Sequence, residues 1–172
     1  WDIPKDSVVL GVVSRLRVER GIEWMIDAAE EALKKVPNAR LVICGRGNYK
    51  KEMLKRLKDH PAKDQIVYAG YVTGQDLYDS YEAFDVAFLL RPGNDGACRG
   101  ALEAMATGKP IIAGDVGALR EYFSYDQAIG WIVPLDDRKA LAHALVDAAT
   151  NHEQRNAYGA NAREQVVSRH TE

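Results

Sequence analysis

The chain has 172 residues, 47% hydrophobic and 28% charged, with a formal net charge of −2. That length suits one domain with a core large enough to need no disulfide or structural metal. The charge balance gives no basic surface for a polyanion, so no nucleic-acid partner is expected.

Val8–Ser14 is a β-branched run without polar alternation, the pattern of a strand buried on both faces. Ile22, Met25, Ile26, Ala29, Leu33 and Val36 then recur at helical spacing, and Pro37-Asn38 ends that helix. The alternation continues. Strands are expected at 40–45, 66–71, 86–90, 110–113 and 130–133. Helices are expected at 49–59, 75–84, 99–107, 118–123, 137–150 and 153–168. Strands alternating with helices predict an α/β fold, a doubly wound Rossmann-like parallel sheet covered on both faces. No apolar run approaches the length of a bilayer span. Cys44 and Cys98 are too few for a disulfide framework or a four-cysteine metal site, and Cys44 sits in an apolar run as a buried thiol. The chain starts at Trp1, with neither a signal peptide nor a start methionine, and is expected to be a fragment of a longer protein.

In a doubly wound sheet, ligands bind beyond the C-terminal ends of the strands. Four loops fall there. Ser14–Gly21 carries Arg15, Arg17 and Arg20 ahead of a helix. It can hold phosphate through guanidinium forks and helix N–H groups, or be a solvated loop with an Arg17–Glu19 or Arg20–Glu23 pair. Gly45-Arg46-Gly47-Asn48 is a tight turn or a close backbone approach to a ligand, and it lacks the third glycine of a dinucleotide fingerprint. Tyr71–Gly74 follows the third strand. Arg91–Glu103 holds Asp95 at the mouth of a helix, in N-cap territory, and Glu103 in its second turn among Ala101, Leu102, Ala104 and Met105. A carboxylate in such surroundings needs a hydrogen-bonding partner if it is buried. The other readings are a helix cap for Asp95 and an exposed helix residue for Glu103.

In this order the pieces resemble the C-terminal domain of retaining glycosyltransferases of the GT-B fold, glycosyltransferase family 4. Ser14–Gly21 is similar to the family's Gly-Arg-Leu-x-x-x-Lys-Gly, with Ser14 for the first Gly and Arg20 for the Lys. Cys44–Gly47 is similar to its Val-Gly-x-Gly, and Tyr68–Val72 to its Phe-x-Gly-x-Val. Most specific are two acids separated by seven residues, Asp95 and Glu103, followed by Ala104-Met105-Ala106-Thr107-Gly108-Lys109-Pro110. The departures are Asp95 where Glu is usual, and Gly96-Ala97-Cys98-Arg99 where Gly-Phe-Gly-Leu is usual. The second departure alters the donor-sugar pocket. Gly117 and Glu121 match the later Gly-Gly-x-x-Glu only in part.

The resemblance implies that residues 1–172 are the nucleotide-sugar-binding domain of a transferase whose N-terminal acceptor domain is elsewhere. Arg15 and Arg20 would hold the donor diphosphate, Glu103 the ribose hydroxyls and Asp95 hydroxyls of the transferred sugar. Backbone amides of Gly96, Ala97, Cys98 and Arg99 would contact sugar and phosphate. Gly45 and Gly47 would sit at the nucleotide, and Tyr71 and Val72 would face the base. The donor would be a UDP or GDP sugar and the acceptor a glycan or lipid-linked molecule, with no metal or other cofactor required. The protein would be cytoplasmic or peripheral at the inner membrane face, and the isolated fragment inactive. A sugar-nucleotide epimerase of GT-B architecture and a non-catalytic nucleotide-binding module are the competing readings.

Overall fold

A computed structural model describes residues 1–92 and 98–170. Six strands form one parallel sheet: β1 (Val8–Val13), β2 (Ala39–Cys44), β3 (Ile66–Gly70), β4 (Val86–Leu89), β5 (Ile111–Gly114) and β6 (Gly130–Val133). Their spatial order is β3-β2-β1-β4-β5-β6. The helices are α1 (Ile22–Lys35), α2 (Lys50–Lys58), α3 (Gly74–Ala83), α4 (Arg99–Ala106), α5 (Gly117–Tyr122), α6 (Arg138–Thr150) and α7 (His152–Arg169). Each expected element is present, with ends displaced by no more than about one residue.

Two cores lie on opposite faces of the sheet. One unites Leu10, Leu41, Ile43 and Phe88 with Ile26 and Leu33 of α1, Met53 of α2 and Leu145 of α6. The other unites Val9, Val42 and Ile111 with Tyr81 of α3, Met105 of α4, Leu119 of α5 and Val166 of α7. Alternate residues of each strand therefore serve opposite cores, which is why the strands read as unbroken apolar runs. Asp137 caps α6 by accepting the Ala140 N–H at 2.9 Å, and Asn151 caps α7 by accepting that of Gln154 at 3.1 Å.

The connection after β1 runs to β2 on one side, and that after β4 to β5 on the other. The crevice opens where those directions diverge, beyond Val13 and Leu89.

Candidate functional site

Two clefts meet at that divergence. The smaller, of about 150 Å³, lies between the β1 loop and the end of β4 and is lined by Arg15, Arg20, Arg91 and Cys98. The larger, of about 420 Å³, runs toward the end of β3 and is lined by Gly45, Arg46, Tyr71, Val72, Tyr81 and Glu103. Val13, Ser14, Arg15, Arg99 and Gly100 line both. Arg15, Arg20 and Glu103, distant in sequence, are thus brought to one continuous crevice.

The β1 loop is shaped by its neighbours. Leu16 is fully buried, its N–H donates to the Arg46 carbonyl at 2.9 Å, and its carbonyl accepts the Tyr49 N–H at 3.0 Å. A buried Leu16 leaves Arg15 and Arg17 exposed on either side. Arg17 pairs with Glu19 at 3.3 Å, as one reading of this loop expects, whereas Glu23 is engaged by the Tyr49 hydroxyl at 2.9 Å. Arg15 and Arg20 form no ion pair among the described residues.

The two glycines after β2 have a packing reason. A Cβ on Gly45 would lie 1.8 Å from the Ser14 carbonyl oxygen, and one on Gly47 would lie 2.2 Å from that of Leu16. They let the second loop lie against the first. Gly45 also borders the larger cleft, whereas Gly47 lies in a shallow recess with Arg15, Arg17 and Asn48. Over this loop the Arg46 guanidinium sits 4.0 Å from the centre of the Tyr71 ring, which is 55% exposed. Tyr71 thus joins the cleft wall as a stacked aromatic–cation pair.

Glu103 is half-buried, and its Oε2 accepts a hydrogen bond from the Tyr81 hydroxyl at 3.0 Å. Tyr81 is only 3% exposed, and its ring meets Phe84 edge-on at 5.9 Å. Burial, reinforced by the Glu103 charge, pushes the Tyr81 hydroxyl far above its ordinary pKa, so it remains a donor. Tyr81 therefore holds the Glu103 carboxylate through Oε2. Its place in an apolar stripe with Leu77 and Phe84 concealed that part. Burial likewise raises the Cys44 thiol to about 11, in keeping with an inert thiol.

Cys98 occupies the N-cap position of α4 with φ 42°, a left-handed conformation that favours glycine, and no side chain of its own caps the helix. It stands where the resembling motif has its second glycine. Asp95, Gly96 and Ala97 lie outside the described residues. Arg99 is exposed at the first turn of α4. Among the described residues no cluster of three or more His, Cys, Asp or Glu could hold a metal ion, and no helix is long and apolar enough to cross a membrane.

The chain is 30% identical over 132 residues to an uncharacterized glycosyltransferase of Methanocaldococcus jannaschii, an alignment covering 77% of this chain and 33% of that protein. It is 26% identical over 132 residues to the UDP-N-acetylglucosamine–peptide N-acetylglucosaminyltransferase GtfA subunit of Streptococcus gordonii, covering 77% and 25%. Among solved structures, the C-terminal domain of a group 1 glycosyl transferase (LpcC) from Francisella tularensis superposes with a TM-score of 0.83 at 25% identity, covering 95% of this chain and 86% of that one. The chain thus spans a quarter to a third of the length of these two curated relatives. The sequence model of the glycosyl transferases group 1 matches residues 1–165, and with the six-stranded parallel sheet this establishes that the chain belongs to that family, of GT-B architecture.

Proposed function

We propose that the crevice binds a nucleoside-diphosphate sugar and that this chain is the donor half of a retaining glycosyltransferase. The observation that carries the reading is that two unbridged arginines, Arg15 and Arg20, and a carboxylate held by Tyr81 line one crevice at the strand ends. The relative from Streptococcus gordonii, whose name specifies a UDP-sugar donor, supports it. The family match does not favour the epimerase or the non-catalytic module.

In this reading Arg15 and Arg20 neutralise the diphosphate and stabilise it as the leaving group. Glu103 accepts hydrogen bonds from the ribose hydroxyls. The base lies toward Tyr71 and Val72, beyond Gly45 and against the Arg46–Tyr71 pair, with Gly47 shaping that loop. Asp95 meets the hydroxyls of the transferred sugar, and the amides from Gly96 through Arg99 contact sugar and phosphate. The bond from the anomeric carbon to the diphosphate breaks as the acceptor oxygen attacks from the same face. A departing phosphate oxygen takes the acceptor proton, so the two fixed cations suffice without a metal or other cofactor. The acceptor, a glycan or a lipid-linked molecule, is supplied by a further domain, so the chain alone binds donor and transfers nothing.

Both faces of the sheet carry their own core, and the similar Francisella tularensis structure is likewise a C-terminal domain, so the chain is suited to direct titration. Calorimetry with UDP, GDP and ADP tests the reading, together with a transfer assay. Binding of one nucleotide, weakened in Glu103→Gln, and no transfer is the expected result. No binding of any nucleotide refutes the donor site, and robust transfer by the chain alone refutes the division of labour.

A further inference from the structure

We infer that the outward face of α2 docks on an anionic lipid bilayer. This surface is separate from the crevice, and the inference does not depend on the donor-site reading above.

The charge of the chain is unevenly spread. From Arg46 to Lys63 it holds seven lysines and arginines and two acids, although its net charge is −2. The overall balance predicts no basic surface, yet the fold gathers one on α2. Met53 and Leu57 of that helix are buried, and Arg56 is engaged by Asp27. Lys51, Leu54, Lys55 and Lys58 fall at spacings of three and four on the side turned away from the core, and all four are exposed. By the same spacing Glu52 and Asp59 border this stripe without entering it.

Intramolecular contacts do not account for the three lysines. None of them forms an ion pair among the described residues. They stand one turn apart, where like charges destabilise a helix. The helix dipole favours Lys55 and Lys58 in the last turn, but it disfavours Lys51 in the first. An anionic surface laid against the stripe relieves both costs.

Leu54 selects the kind of anion. It lies in the middle of the stripe and is 39% exposed. A free phosphate or a nucleic-acid backbone offers it no apolar contact. At a bilayer its side chain enters the acyl boundary, while the lysine stems lie along the surface with their ammonium groups among the head groups. The loop leading into α2 carries Gly45 and Arg46 of the larger cleft, so a bilayer against α2 lies beside the crevice.

The test is co-sedimentation of the chain with vesicles of phosphatidylcholine alone and of phosphatidylcholine mixed with phosphatidylglycerol. Binding is expected to the mixed vesicles only, and to fall as salt is raised. A lysine near an anionic leaflet is worth about fivefold in binding, so Lys51→Gln, Lys55→Gln and Lys58→Gln together should weaken it about a hundredfold. Arginine at the same three positions should restore it. Leu54→Gln should weaken it by about fivefold with the melting temperature unchanged. Equal binding to both kinds of vesicle, or unchanged binding by the triple glutamine variant, overturns the inference. Inorganic phosphate and a duplex DNA oligonucleotide are titrated in parallel. Duplex DNA bound as tightly as the mixed vesicles, with Leu54→Gln without effect, marks a general polyanion surface and overturns it too.

Discussion

Tyr81→Phe removes one oxygen atom and isolates the means by which Glu103 is held. The ring stays in its buried position against Phe84, so no cavity opens in the core. What is lost is a 3.0 Å hydrogen bond to a carboxylate. A hydrogen bond to a charged group contributes about 1.5–3 kcal/mol. Glu103 is only half-buried, so water can replace the hydroxyl, and the loss falls below that range, to about 1 kcal/mol. A destabilisation of about 1 kcal/mol lowers the melting temperature of a domain this size by roughly 2–4 °C. Loss of a fixed carboxylate rotamer is expected to weaken UDP or GDP binding by about fivefold, equivalent to roughly 1 kcal/mol. Inorganic pyrophosphate separates positioning from general damage, because it has a diphosphate and no ribose. The expected result is weaker nucleotide binding with unchanged pyrophosphate binding, measured by calorimetry beside the melting curve. Equal weakening of both ligands, or unchanged nucleotide affinity, would refute the assignment of Glu103 to the ribose and of Tyr81 as its positioning residue.

Three further outcomes follow from the same geometry. Arg15→Ala and Arg20→Ala should each weaken nucleoside-diphosphate and pyrophosphate binding by about tenfold at low salt, and by less as salt screens the open cleft; unchanged affinity in both would leave the loop a surface turn. Gly45→Ala, whose Cβ would stand 1.8 Å from the Ser14 carbonyl oxygen, should lower stability by more than about 2 kcal/mol in a denaturant titration. Gly70→Ala, at φ 85° with open space around it, should cost only the roughly 1–2 kcal/mol of a left-handed backbone; equal losses would deny the loop-on-loop packing. For pH, the Cys44 thiol rises from 9.0 to about 11 on burial, so the proton is held more tightly in the fold than in the unfolded chain. Its contribution is fully present below pH 9 and is lost as pH climbs toward 11. Cys44→Ala should therefore show a shallower fall in stability across that interval than the unaltered chain, and parallel curves would contradict the buried thiol.

Much of the fold was legible because its signals are local. Unbroken β-branched runs marked buried strands, helical spacing marked the buried face of α1, and Pro37-Asn38 marked the end of the first helix within one or two residues. The prominence of Glu103 was also local, since an acid among alanine, leucine and methionine is conspicuous wherever the chain folds. Its partner was not. Tyr81 is 22 positions away on another helix, and in sequence it is one more apolar residue of a stripe. Only the strand order, which sets β1 beside β4 and lays α3 and α4 on the same face of the sheet, brings that hydroxyl to the carboxylate. The glycines of the second loop are a similar case: their spacing fitted either a tight turn or a close approach to a ligand, and the pairing of β1 with β2 adds a packing reason, since the first loop occupies the space a side chain would need. Hydrophobic periodicity records which face of an element is buried, because burial depends on neighbours along the chain. It carries no record of which polar atoms meet across the fold, since those contacts are chosen by the packing of elements that are remote in sequence.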